Sequence, residues 1–305
     1  MYVLVLGSAA GGGFPQWNCN CPMCAGVRHG TIQAQARTQS SIAVSTDKLH
    51  WLLVNASPDI RTQLNSLHAY LQPARQLRDT GISAVLLADS QIDHTTGLLI
   101  LRESKQALEL YCTDSVYEDL TTGFPVLNML QHYCGVNRHR LPLDQSAFSV
   151  PSIEHLRITA VPLSSKAPPY SPHRNQPSLG DNVGFYFEDT QTGGKLFYAP
   201  GLGMIEDHLH AYFVQANCVL VDGTCWTDDE MQRRQVGYKK AREMGHLPQS
   251  GAGGMLDYLS QFADTRKILI HINNTNPILE ETAEERAELS HAGIEVAHDG
   301  LLLNL

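Results

Sequence analysis

No run of roughly 20 apolar residues occurs anywhere in this 305-residue chain, so a membrane-spanning helix is not expected. Positive charge is scarce. The 22 Lys and Arg are outnumbered by 31 Asp and Glu, the formal charge is −9, and there is neither a basic stretch nor a basic helix. Nucleic acid and anionic membrane surfaces are therefore not expected as partners. The first residues, Met1-Tyr2-Val3-Leu4-Val5-Leu6-Gly7, carry no basic leader and read as a strand, which suggests a cytoplasmic protein. No linker rich in Ser, Gly or Pro divides the chain and no repeat is visible, so one domain over residues 1–305 is expected. The seven cysteines, an odd number, do not suggest a disulfide framework.

What is present is a series of short Leu-rich and β-branched runs separated by turn residues. They predict strands at Tyr2–Leu6, Ser41–Ser45, Trp51–Asn55, Ala84–Ala88, Leu108–Cys112, Ile158–Leu163, Val183–Phe187, Lys195–Tyr198, Val219–Asp222, Lys267–Ile270 and Ile294–Ala297. Helices are predicted at Asp59–Leu67, Thr96–Glu103, Ser115–Thr121, Ile205–Gln215, Gly254–Phe262 and Glu281–His291, with caps at Asp59 and at Thr282-x-x-Glu285. Strands dominate both halves, with helices interspersed. That order suits an α/β (α+β) chain folded as a four-layer αββα sandwich. A doubly wound Rossmann sheet fits less well, because Val183–Phe187 and Lys195–Tyr198 read as a hairpin.

Several buried runs end in polar residues able to do chemistry. Ala84–Ala88 leads into Asp89-Ser90-Gln91-Ile92-Asp93-His94, and Lys267–Ile270 delivers His271. One carboxylate and two imidazoles with open positions make the ligand set of mononuclear non-haem iron. Alternate residues after a strand share a side, so Asp89 and Gln91 are expected in the same pocket as further ligands or as groups orienting them. Asp222 closes another hydrophobic run, and His246 lies in a polar loop; either suits proton transfer. Cys19, Cys21 and Cys24 stand close enough for one structural zinc. The fourth zinc ligand stays open, an amide such as Asn274 being a poor one. The remaining cysteines read as small core hydrophobes. Gly7-Ser-Ala-Ala-Gly-Gly-Gly13 lacks the Lys-Ser or Lys-Thr of a phosphate loop and reads as a tight loop beside a cleft.

Taken together, these residues resemble the metallo-β-lactamase superfamily. Its HxHxDH signature falls on Asp89, Gln91, Asp93 and His94, its late strand-end histidine on His271, and the Gly-His element of its RNase Z and phosphodiesterase branches on Gly245-His246. Longer stretches, among them Asp93-His-Thr-Thr-Gly97, Ala167-Pro-Pro-Tyr-Ser-Pro-His173, Tyr198-Ala-Pro-Gly201 and His271-Ile-Asn-Asn-Thr-Asn-Pro277, resemble a family acting in pyrroloquinoline quinone (PQQ) biosynthesis over essentially the full length. The chain departs from the hydrolase pattern where Asp89 and Gln91 replace two histidines, Ser164-Ser165 stands for a third, and Ala-Pro-Gly replaces a bridging aspartate. One metal position is thereby dismantled, while Asp93, His94 and His271 remain.

The resemblance implies an Fe(II)- and O₂-dependent hydroxylase acting on the tyrosine ring of a cross-linked Glu–Tyr amino acid. The alternatives are a non-catalytic carrier assisting transport of PQQ or its precursor to the periplasm, and a metal-dependent hydrolase. Pro168–Arg174 is expected to cover the pocket, with His173 and Arg174 binding substrate and Arg174 pairing a carboxylate. A homo-oligomer is compatible with the sequence.

Overall fold

The computed structural model describes residues 1–71 and 76–305. Its strands are β1 (Tyr2–Gly7), β2 (Ser41–Ser45), β3 (Trp51–Val54), β4 (Ile82–Leu86), β5 (Leu108–Cys112), β6 (Val136–Arg140), β7 (Ala147–Ser149), β8 (Leu156–Pro162), β9 (Val183–Asp189), β10 (Lys195–Ala199), β11 (Cys218–Asp222), β12 (Arg266–Ile270), β13 (Ile294–Val296) and β14 (Leu302–Asn304). They form two seven-stranded sheets, ordered β14-β1-β2-β3-β4-β5-β6 and β13-β12-β11-β10-β9-β8-β7. In the first sheet β14, β1, β2 and β3 run antiparallel, and β3 to β6 run parallel. The second repeats the plan, antiparallel from β7 to β10 and parallel from β10 to β13. Antiparallel pairing of β9 with β10 is the hairpin expected from sequence, and the Rossmann alternative is excluded.

The sheets meet face to face through Val3, Val44, Leu86, Phe185, Tyr198 and Ile268, among other buried side chains. On the outer face of the first sheet, Ile60, Val116 and Leu127 bring helices Ile60–Ser66, Asp114–Thr121 and Val126–Leu130 onto Leu4, Leu6 and Val85. On the second sheet, Phe213, Met255 and Leu289 do the same from helices His210–Gln215, Met255–Leu259 and Glu284–His291. Each Leu, Ile or Phe buried in this way contributes about 1.5–3 kcal/mol. Strands β3 and β11 are buried at every position, as strands covered on both faces must be, which is why they read as unbroken apolar runs. This is the four-layer αββα sandwich expected. Among the described residues no helix is long and apolar enough to cross a membrane.

Differences from the sequence expectation lie at edges and caps. The edge strands β6, β7 and β14 are short or polar; Val136-Asn-Arg-His-Arg140 carries no hydrophobic pattern, a usual way of blunting a sheet edge. The predicted helix Thr96–Glu103 shortens to Leu98–Leu101, and a separate turn of helix, Ile92–Thr95, precedes it. Between them the Gly97 backbone presses so close to its neighbours that a Cβ would stand 2.2 Å from the Ser57 carbonyl oxygen. Asp59 does not cap its helix; its carboxylate accepts from Gln39 N at 2.9 Å and Gln39 Nε2 at 3.0 Å. Nor does Thr282 form a capping box, since its hydroxyl faces Glu280 and the helix begins at Glu284.

The topology decides where the chemistry sits. Parallel strands β4, β11 and β12 end at one edge of the sandwich, the edge where α/β sheets place their ligands.

Candidate metal centre

After β4 the chain stays buried through Asp89, which bridges Asn182, and then turns into the helix Ile92–Thr95. Asp93 and His94 therefore come from one helical turn, not directly from the strand end as the sequence suggested. His271 follows β12 directly and has a φ of 60°. The turn and the strand end bring one atom each of Asp93, His94 and His271 to within 4.8 Å of one another. His271 Nε2 lies 3.3 Å and His94 Nε2 3.8 Å from Asp93 Oδ2. The His94 and His271 rings meet edge to face with centroids 5.3 Å apart. Gly11, in the glycine-rich loop, passes beside Asp93; a Cβ there would stand 3.2 Å from Asp93 Oδ2. The reading of that loop as the wall of a cleft holds.

Asp89 is spent on orientation. Its two oxygens lie 2.8 and 2.9 Å from His94 Nδ1, and Oδ1 also accepts from Gln91 N at 2.9 Å. Burial disfavours a charged His94, but the Asp89 and Asp93 carboxylates outweigh it and raise the imidazole to about 9. Burial likewise opposes ionisation of Asp93, yet His94 and His271 hold its carboxyl far below the usual range. When His94 gives up its added proton, the remaining ring hydrogen sits on Nδ1, facing Asp89, and the Nε2 lone pair points into the cluster. That atom is buried and has no hydrogen-bond partner. An orphaned acceptor beside a carboxylate and a second imidazole is a donor set that fits a divalent cation.

Beyond the triad the pocket is a cavity of about 210 Å³, lined in part by Gln91, Ser165, Asn182, Gly201 and His246. Gln91 thus reaches the pocket as expected. Asp222, fully buried, accepts from His246 Nδ1 at 2.6 Å and from Leu202 N at 2.9 Å. Burial opposes a charged His246, and Asp222 more than offsets this, raising its pKa. The His246 ring stacks on His271, with centroids 5.1 Å apart. Asp222 and His246, distant in sequence, thus join Asp93, His94 and His271 around one pocket.

His173 and Arg174 do not. Neither lines the pocket. His173 Nε2 lies 3.0 Å from Asp181 Oδ1 and 3.7 Å from Asp119 Oδ1, and the Arg174 guanidinium donates to the Ala167 carbonyl. The loop leans on the site from behind, Tyr170 donating its hydroxyl to the Ser90 carbonyl. His173 faces carboxylates of the protein itself and Arg174 donates to a backbone carbonyl, so neither is turned to the pocket where the sequence reading placed substrate.

Cys19, Cys21 and Cys24 form a second cluster and are all buried. Burial pushes the Cys21 thiol up to about 11, whereas hydrogen bonds from Cys21, Cys24 and Asn274 outweigh burial at Cys19 and lower it. The Asn274 amide nitrogen faces all three sulfurs at 3.2, 3.8 and 3.2 Å. Amide N and O are nearly indistinguishable in shape, so a half-turn about the last bond presents the oxygen instead. Asn274, set aside at the sequence level, is the side chain that completes this pocket. Cys112, Cys218 and Cys225 are buried as expected, and Cys134 is half-buried.

Sequence reasoning also missed Thr224 and Asn182. The Thr224 hydroxyl lies between the His246 and His271 rings, 3.1 and 2.9 Å from their Nδ1 atoms. Asn182 is buried in the pocket wall opposite Asp89. Only its place just before β9 could have pointed to Asn182, and only the turn after β11 to Thr224.

Comparison with known proteins agrees with this geometry. The β-lactamase superfamily domain matches residues 50–272. Coenzyme PQQ synthesis protein B of Methylobacillus flagellatus is 60% identical over 302 residues, covering 99% of each chain. That of Pseudomonas syringae pv. tomato is 61% identical over 306 residues, covering all of both. The crystal structure of Zn²⁺-bound PqqB from Methylobacterium extorquens superposes with a TM-score of 0.90 at 38% identity, over the whole of both chains. A diphosphatase of the PhnP family shares the fold alone, with a TM-score of 0.69 at 19% identity over 99% of this chain and 96% of that one. The chain belongs to the coenzyme PQQ synthesis protein B family, within the β-lactamase superfamily.

Proposed function

We propose that this chain acts in PQQ biosynthesis as an iron(II)- and O₂-dependent hydroxylase of the tyrosine ring of a cross-linked Glu–Tyr precursor. The observation that carries the reading is the convergence of Asp93, His94 and His271, with His94 Nε2 buried and unpartnered. Bound there, iron(II) would supply redox chemistry and open positions for oxygen. Asp93 balances charge, Asp89 fixes the His94 ring, and His246, gripped by Asp222, holds a proton at the pocket wall. Gln91, Ser165 and Asn182, which also line the pocket, offer amide and hydroxyl groups to the substrate. Its names and its fold support the place of the family in PQQ synthesis and in metal-dependent chemistry.

A hydrolase with two clamped ions is disfavoured by the same lining. Asp89 is engaged with His94, Ser164 with Glu206, and Gly201 has no side chain to offer. Separately, Cys19, Cys21 and Cys24 with the Asn274 amide oxygen would hold a structural zinc, in keeping with the Zn²⁺-bound relative.

Anaerobic loading with Fe(II), followed by the precursor amino acid, O₂ and a two-electron reductant such as ascorbate, should give a product heavier by one oxygen atom when read by mass spectrometry, the second oxygen leaving as water. His271→Ala should lose Fe(II) binding and product formation while retaining zinc at the cysteines. Undiminished product from that variant would remove the ligand assignment.

A further inference from the structure

We infer that Thr224 is the positioning residue that decides which nitrogen His271 presents to the metal. Thr224 sits in the turn after β11 and is 3% exposed. Its hydroxyl lies 2.9 Å from His271 Nδ1, 2.9 Å from the His271 carbonyl oxygen and 3.1 Å from His246 Nδ1. A hydroxyl has one hydrogen and two lone pairs. The carbonyl can only accept, so the hydroxyl hydrogen goes there, and the oxygen is left to accept from a ring N–H. His246 directs its Nδ1 hydrogen to Asp222 at 2.6 Å. His271 is therefore the ring that donates to Thr224 from Nδ1. A neutral imidazole protonated on Nδ1 keeps its lone pair on Nε2, the atom 3.3 Å from Asp93 Oδ2. Thr224 does for His271, through a neutral hydroxyl, what the Asp89 carboxylate does for His94.

The same hydroxyl also holds the backbone. His271 has a φ of 60°, a left-handed conformation uncommon for a residue with a side chain. Thr224 grips it on two sides, since its hydroxyl donates to the His271 carbonyl and its own carbonyl accepts from Asn273 N at 3.0 Å. One residue thus restrains both the direction of the ring and the turn that carries it.

This inference rests on the reading of Asp93, His94 and His271 as ligands, and the test separates the two. Co(II) affinity and visible absorption would be measured for the native chain, Thr224→Val, Thr224→Ser and His271→Ala, each with its cysteine site loaded with zinc. Valine keeps the shape and removes the hydroxyl. Co(II) affinity should fall by about 10–100-fold, the range for losing a partner that orients a metal-bound histidine, and the absorption bands should shift. Serine should restore both. If Thr224→Val fails to fold, as judged by lost zinc and early melting, Thr224→Ala takes its place in the comparison. Native affinity and spectrum in the Val or Ala variant, beside a His271→Ala that binds no Co(II), would overturn the role of Thr224 alone. A serine variant as weak as valine would overturn it too. Native binding by His271→Ala would remove the ligand reading and this inference with it.

Discussion

Replacing Glu230 by Gln should flatten part of the pH dependence of stability. Glu230 is 3% exposed and supports the loop that follows His271. Its Oε2 accepts from Trp226 N at 2.6 Å, and its Oε1 lies 2.5 Å from the Thr275 hydroxyl, which in turn lies 2.5 Å from the Asn273 amide nitrogen. Burial raises its carboxyl from the ordinary 4.5 to about 7, and these hydrogen bonds offset only part of the effect. In the window between those values the folded protein keeps a proton that the unfolded chain has released. The contribution to stability is therefore fully present below the unfolded value of 4.5 and is lost as pH rises through about 7. At 1.36 kcal/mol per pH unit the loss amounts to about 3 kcal/mol. Glutamine copies the neutral acid, its carbonyl accepting from Trp226 N and its N–H facing Thr275. Urea unfolding of both proteins across this range checks the sign and the size. The native protein should lose about 3 kcal/mol relative to Glu230→Gln on going from acid to neutral pH. Parallel stability curves would refute the assignment of a neutral Glu230 in the fold.

Asp89→Ala should weaken metal binding at the triad by about 10–100-fold, because His94 loses the partner that keeps its lone pair on Nε2; competition with a metal-binding dye measures it, and unchanged affinity would count against this role. Cys24→Ala should remove one zinc per chain and lower the melting temperature, since it breaks a buried three-thiol cluster that ties residues 19–24 to Asn274. Elemental analysis beside a thermal melt reads both, and a variant that retains its zinc would contradict the proposed site.

The parts of the fold legible in sequence were those where burial acts on both faces of a strand. Trp51-Leu-Leu-Val54 and Cys218-Val-Leu-Val-Asp222 can be nothing but interior strands, so the residues that end them stood out. Asp222 was found for that reason, and Asp93, His94 and His271 because they follow the buried ends of β4 and β12. The edge strand at Val136–Arg140 has no apolar face to betray it. Arg174 looked like a substrate anchor because a sequence cannot say that the Ala167 carbonyl lies within its reach. Thr224 and Asn274 are ordinary loop residues until β11 and β12 are laid side by side, which only the three-dimensional pairing does.

Asn274 and His271 stand three residues apart on one loop, the first facing the sulfurs and the second facing Asp93. Were both proposed sites to fill, each ion would hold the segment that serves the other, and the two would be expected to bind with mutual assistance even though no atom is shared. Preparation history then matters. A sample stripped of both ions and refilled with iron alone would display a loosened, heterogeneous centre, whereas one given zinc first would accept iron into a loop already set.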